Sequence, residues 1–352
     1  MKKWLKLIFF IYLFILSIEL IKKSSLLLAP DIKTLLIQNI TPLKAISVGW
    51  FTTSVVQSSG AVSSITAAFA GSDIISLSTA VYILIGASLG TTITAMIISL
   101  ITVTYKRKDF RHGFEIALTY SIYSAFLVVI VFFLEFFFSI FSRISLFLAT
   151  TLENKIFLLK IPNVIDIITN PIINTFPIET QKFLALVFGF MLLIIALRYI
   201  GKSVMEVLGG EEEARKFINK HFESKYKAYF MGVALTAIVF SSSITIGLLV
   251  PLAAARLISL KKAIPFILGA DLGTFTDTFL ASLIIGETTA IATAFAYALF
   301  AVVGAIIFLP NINFLHKITK YTSNKLIKIS RKKALYILIA FILIPLALIL
   351  IF

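Results

Sequence analysis

Four polar groups interrupt stretches that are otherwise apolar enough for a membrane. They are Gln57-Ser58-Ser59-Gly60, Ser241-Ser242-Ser243, the run Gly86-Ala87-Ser88-Leu89-Gly90-Thr91-Thr92-Ile93-Thr94, and the run Gly269-Ala270-Asp271-Leu272-Gly273-Thr274-Phe275-Thr276-Asp277. Hydroxyls, an amide and two carboxylates in apolar surroundings are equipped to hold small ions. They are poorly equipped to make or break covalent bonds. The sequence contains no Ser/His/Asp arrangement, no phosphate-cradling glycine loop closed by lysine, and no metal-spaced histidine cluster. It has no cysteine, which excludes thiolate chemistry and disulfides. The expectation is a binding or transport protein and not an enzyme.

The groups occur in pairs. Sliding the chain against itself by 183 positions lays Gly49, Thr53, Val56, Ser58 and Ser59 on Gly232, Thr236, Val239, Ser241 and Ser242. The same shift lays Gly86, Ala87, Leu89, Gly90 and Thr91 on Gly269, Ala270, Leu272, Gly273 and Thr274 without a gap. Identities concentrated at Gly, Ser and Thr mark an internal repeat and not shared hydrophobicity. A break at Gln57-Ser58-Ser59-Gly60 divides 45–72 into two arms of about a dozen residues. At 1.5 Å per residue each arm spans ~18 Å and stops near mid-membrane. Residues from Ala61 and from Ile244 would then begin half-helices whose free amides and positive dipole ends face the serines. That is an anion site built twice. Since neither hairpin carries Lys or Arg at its tip, hydroxyls, amides and co-bound cations would do the holding, and a neutral polar substrate also fits.

At roughly 100° per residue, Ser88, Thr91 and Thr94 share an arc of about 120°, as do Asp271, Thr274, Asp277 and Thr278, while the glycines face away as a close-packing surface. Two carboxylates within an apolar helix without a basic neighbour call for a bound cation. Oxygen-only ligands suit Na⁺ or a proton better than a transition metal.

Hydrophobic residues make up 59% of the 352 and charged residues 14%, so the chain reads as a polytopic membrane protein. Its net charge of +15 lies mainly in short loops, where it sets topology; nucleic acid is not an expected partner. The fold class expected is all-α, multi-pass in the cytoplasmic membrane, with the lipid bilayer as solvent. Residues 1–44 give a retained first helix over 4–21 and a surface segment broken at Pro30 and Pro42. Repeat 1 covers 45–149, with hairpin 45–72, helix 76–104 and helix 113–138, the last placing Glu135 near the outer interface. An outer connector, helix 181–201 and a solvated cytoplasmic helix over 210–228 fill 150–228. Repeat 2 covers 229–316, with hairpin 229–255, helix 263–285 and helix 289–309, and 317–352 holds a basic linker and a last helix. Flanking charge reverses between the copies. Asp73 in copy one stands against Arg256, Lys261 and Lys262 in copy two, and the basic 105–111 loop stands against Gly286-Glu287-Thr288. Opposite charge around one motif predicts repeats of inverted topology with re-entrant hairpins.

The paired serine motifs, each followed by a G-A-x-L-G-T segment, resemble the type II sodium-dependent phosphate cotransporter family. The likeness is strong over 45–104 and 229–285, and looser beyond, where Tyr120 and Tyr123 are spaced like Tyr297 and Phe300. The resemblance implies Na⁺-coupled symport of inorganic phosphate, with the anion between two hairpin tips. It puts Ser58, Ser59, Gly60, Ser241, Ser242 and Ser243 at the substrate. Together with the arcs above, it makes Gln57, Ser88, Thr91, Thr92, Thr94, Asp271, Thr274, Thr276 and Asp277 candidate Na⁺ ligands. Gly60 replaces a family Ser, Phe240 a Gln, Ser88 and Asp271 two Asn, and Asp277 a Thr. Another small anion, proton coupling through the aspartates, and a non-transporting scaffold or lipid-handling membrane enzyme all stay open. So does a homodimer.

Overall fold

The computed structural model describes all residues except 1, 37–39, 103–106, 157–160, 176, 177, 179, 208, 211, 214–223, 328–330 and 352. Long runs of Leu, Ile, Phe and Ala without period-two alternation fold as helices, since in lipid each backbone amide must be satisfied within its own segment. In chain order these are α1 (Lys2–Leu36), α2 (Pro42–Val56), α3 (Ser59–Gly71), α4 (Leu77–Thr102), α5 (Arg107–Phe138), α6 (Ile140–Ile156), α7 (Ile161–Ile173) and α8 (Lys182–Val207). There follow α9 (Lys225–Val239), α10 (Ser242–Ala254), α11 (Leu260–Gly273), α12 (Phe275–Ile285), α13 (Thr288–Phe308), α14 (Ile312–Ile327) and α15 (Arg331–Ile351). Six helical stretches among the described residues are long and apolar enough to cross a bilayer: Lys3–Ala29, Leu77–Leu100, Arg111–Phe138, Lys182–Val207, Leu260–Ile285 and Thr288–Phe308. Phe133, Phe136, Phe137 and Phe138 are each more than half exposed on α5, as suits a face turned to lipid.

Several elements differ from expectation. Helix α1 runs through Pro30 to Leu36, because a proline removes one amide and a membrane helix absorbs that loss. Pro42 does not break a helix but starts one. It sits in the first turn of α2, where its missing N–H costs nothing, behind Thr41, whose hydroxyl accepts from Lys44 N. The connector 150–180 carries the end of α6 and all of α7, and the basic linker is largely α14. The expected helix 263–285 is interrupted at Thr274, whose amide reaches back to Asp271 O at 3.2 Å. Most of the expected helix 210–228 lies outside the described residues. Glu135 is buried and caps α6 from the preceding helix, accepting from Phe141 N at 3.0 Å and Ser142 N at 3.2 Å.

The repeat seen in the sequence returns in the helix limits. Helices α2 and α3 begin and end at the positions that, shifted by 183, bound α9 and α10, and α4 matches α11 and α12 together. Packing is reciprocal: α3 lies on α12 and α13 of the second copy, α10 on α4 and α5 of the first, α14 on α5 and α6 on α13. Glu115, wholly buried on α5, ties that helix to α14 by accepting from Lys320 Nζ at 2.6 Å, and also accepts from Arg111 Nε at 3.0 Å.

Paired glycines seat each long helix on the preceding arm. A Cβ on Gly86 would stand 2.0 Å from Ile46 O, and one on Gly269 1.9 Å from Tyr229 O. A backbone carbonyl cannot step aside unless its helix moves. Gly86→Ala and Gly269→Ala are therefore expected to destabilise the protein by ~1–3 kcal/mol, the usual cost of overpacking. Gly247→Ala, where the neighbour within range is the flexible Ile98 Cδ1 at 2.8 Å, is expected to cost far less. Thermal unfolding in detergent compares the three; equal melting temperatures would refute the backbone-contact account.

Candidate anion and cation site between the repeats

Both helix breaks are built alike. Gln57 closes α2 in the left-handed region (φ 57°), its amide bonded to Thr53 O at 2.7 Å, and Ser58 caps α3 by accepting from Ala61 N at 3.2 Å. In the second copy Phe240 (φ 56°) bonds to Thr236 O at 2.8 Å and Ser241 caps α10 by accepting from Ile244 N at 3.2 Å. A bulky residue in that backbone region costs about 1–3 kcal/mol, so the turn is held at Phe240 against the residue's own preference. The caps deal with one amide each. The amides of Ser59 and Gly60, and of Ser242 and Ser243, remain as the open donors of α3 and α10.

Each tip meets the other copy. On the first, Gly60 abuts Asp277, and Ser63 Oγ lies 2.5 Å from Thr278 Oγ1. On the second, Ser243 Oγ lies 3.5 Å from Thr91 Oγ1. Between them Asp271 Oδ2 accepts from Tyr123 Oη at 2.9 Å and Oδ1 from Ser88 Oγ at 3.4 Å. Ser88 and Asp271 are equivalent positions of the two copies, so their contact fixes where the copies meet themselves. Ser59, Ser242, Asp271 and Asp277 are all buried, and neither aspartate pairs with Lys or Arg among the described residues.

Not every expected ligand joins this set. The Gln57 side chain is exposed, Thr276 is half-buried, and the hydroxyls of Thr92 and Thr274 donate to their own helices, at Leu89 O (2.9 Å) and Ala270 O (3.1 Å). Thr94 Oγ1 is buried without a partner. Four unassigned residues add to the site. Tyr120 and Tyr297 are buried with unpartnered hydroxyls, the first beside Ser242 and the second beside Ser59. Thr53 and Thr236, equivalent in the two copies, also keep buried, unpartnered hydroxyls in the last turns of α2 and α9. The signal for the threonines was their identity under the repeat; for the tyrosines, the spacing shared by Tyr120 with Tyr123 and Tyr297 with Phe300.

Orphan hydroxyls and open amides, at two tips that each pack on the other copy, are what bound ions would satisfy. The sequence model of the Na⁺/Pi-cotransporter family matches residues 13–152 and 192–349. The chain belongs to the Na⁺/Pi-cotransporter family. Human sodium-dependent phosphate transport protein 2B is 31% identical over 117 residues, covering 33% of this chain and 17% of the relative. The rat 2C protein is 28% identical over 178 residues, 47% of this chain and 30% of the relative. The uncharacterized protein YqeW of Bacillus subtilis is 35% identical over 88 residues, 25% of this chain and 28% of the relative. These matches therefore span less than a third of each relative's length. No solved structure matches.

Proposed function

We propose that this member of the Na⁺/Pi-cotransporter family is a secondary transporter, not an enzyme, that carries inorganic phosphate with Na⁺ across the cytoplasmic membrane. The observation that carries the reading is the pair of half-helix starts, each with two open amides, each beside an orphan tyrosine hydroxyl, and each packed on helices of the other copy. Phosphate would sit between Ser58-Ser59-Gly60 and Ser241-Ser242-Ser243, where amides and dipoles favour negative charge. Na⁺ would sit toward the carboxyl ends of α2 and α9, whose last-turn carbonyls and the Thr53 and Thr236 hydroxyls offer oxygen alone, with Asp271 supplying charge.

The topology follows the same logic. Arms of 15 and 13 residues in each copy reach ~20 Å, short of a ~30 Å hydrocarbon core, which supports re-entrant hairpins. Reversed flanking charge supports opposite orientation of the copies, related by a pseudo-two-fold axis through the Ser88–Asp271 contact. Repeat 1 (45–149) and repeat 2 (229–316) would then expose the central site alternately to each side.

Purified protein in liposomes is expected to accumulate labelled phosphate under an inward Na⁺ gradient and to stop when K⁺ replaces Na⁺. Accumulation driven equally by a pH gradient without Na⁺ would favour proton coupling, which the two uncompensated carboxylates could also support. No uptake under either gradient would overturn the transport reading.

A further inference from the structure

Gly60 and Asp277 answer one another across the two copies. Their equivalents are Ser243 and Thr94, so where one tip keeps a serine facing a threonine helix, the other has lost its side chain and faces a carboxylate. The fit is tight: a Cβ on Gly60 would stand 1.7 Å from Asp277 Oδ2. Any other residue at 60 would evict the carboxylate.

Asp277 is 1% exposed. Its Oδ1 accepts from Thr278 N at 2.7 Å and Thr278 Oγ1 at 3.2 Å, while Oδ2 accepts no side-chain hydrogen bond among the described residues. Oδ2 lies against Gly60 at the start of α3, where the Ser59 and Gly60 amides are open. Tyr297, with no exposed surface and no partner for its hydroxyl, lies beside Ser59 on the same side. Donors and one acceptor thus meet at the start of α3, where only donors would be needed for a fully deprotonated anion.

Helix polarity decides the role of the acceptor. The positive end of α3 disfavours a cation at Oδ2 and favours negative charge, which sets Asp277 with the anion and not with Na⁺. A carboxylate accepts and cannot donate. Against an anion that presents acceptor oxygens alone it is repulsive, and against one that carries a hydroxyl it is a hydrogen-bond partner. At neutral pH phosphate and arsenate carry such a hydroxyl; sulfate does not.

Resting on the phosphate-transport reading above, we propose that Asp277 is a specificity-determining residue: Oδ2 accepts a hydrogen bond from the hydroxyl of a protonated tetrahedral oxyanion at the α3 tip. Gly60 is the vacancy that lets it reach. The site then admits phosphate and arsenate and rejects sulfate by charge and proton, not by size.

The test compares wild type, Asp277→Asn, and the double variant Gly60→Ser/Asp277→Thr, which installs the residue types of the equivalent positions Ser243 and Thr94. Labelled phosphate uptake into liposomes under a Na⁺ gradient is measured against increasing sulfate. Wild type is expected to ignore a ~100-fold excess of sulfate, within the discrimination that sites built around a substrate hydroxyl achieve. In both variants sulfate is expected to compete at concentrations similar to phosphate, with half-saturating Na⁺ little changed. If a variant takes up nothing, calorimetric binding of phosphate and of sulfate to the purified protein reads the same selectivity. Phosphate selectivity retained by both variants would overturn the role of Asp277 and leave the transport reading intact. So would half-saturating Na⁺ rising about tenfold in Asp277→Asn with selectivity unchanged, which would make Asp277 a cation ligand. Wild type that neither binds nor transports phosphate would overturn the transport reading itself.

Discussion

Replacing Ser242 with alanine is expected to reduce Na⁺-driven phosphate uptake by about 10- to 100-fold while leaving the amount of folded protein unchanged. Ser242 is the first helical residue of α10 and is buried, yet the cap is made by Ser241, so alanine removes no bond that holds the helix. What it removes is a hydroxyl beside Tyr120 at the place proposed for the anion, next to the open amides. Hydrogen bonds to charged groups contribute ~1.5–3 kcal/mol, which gives that range of loss. Ser59→Ala is expected to behave in the same way, because Ser58 caps α3. Ser241→Ala and Ser58→Ala serve as the contrast. Each removes a cap and costs ~1 kcal/mol of stability, visible as a lower melting temperature. Wild-type uptake by both Ser242→Ala and Ser59→Ala would show that these hydroxyls are structural.

Asp271→Asn is expected to raise the Na⁺ concentration for half-maximal uptake by about tenfold or more, equivalent to ~1.4 kcal/mol of lost cation binding. The substitution keeps the size of the side chain and lets its amide oxygen accept from Tyr123, so the packing of α11 against α5 survives. It removes charge from a position with no basic partner among the described residues, where a cation is the natural compensation. Tyr123→Phe is the control for geometry. It deletes the 2.9 Å hydrogen bond but leaves the carboxylate, and a smaller shift is expected. Uptake measured against Na⁺ at fixed phosphate compares all three proteins. An unchanged Na⁺ dependence in Asp271→Asn would remove Asp271 from the cation site.

The helix breaks were legible because two signals coincided at each: polar residues interrupting an apolar run, and the same serines at the same offset in the other copy. Gly86 and Gly269 were legible as packing residues because, with Gly90 and Gly273, they fall on the helix face away from the oxygens. What stayed hidden is what arises between the copies. Gly60 and Asp277 stood out separately as departures from a family pattern, but nothing along one chain tells that they touch. The tyrosines were obscured because α5 and α13 fall out of the common register after the 105–111 loop. Pro30 and Thr274 misled in opposite directions. A proline strong enough to end a soluble helix does not end α1, whereas a threonine with no such reputation interrupts the run from α11 to α12.

The contact of Ser88 with Asp271 bears on how alike the two copies can be. In an assembly of two identical halves, a residue on the axis meets its own twin, so a carboxylate at this position would face another carboxylate in a buried site. Like charges at that distance exclude one another unless a proton or a metal is shared. A serine meeting a serine is harmless, and a serine meeting an aspartate is a hydrogen bond. That combination needs halves that differ in sequence. Asp271 facing Ser88 therefore marks the two copies as diverged at this contact: identical halves carrying the aspartate would set two carboxylates together and would have to share a proton or a cation between them.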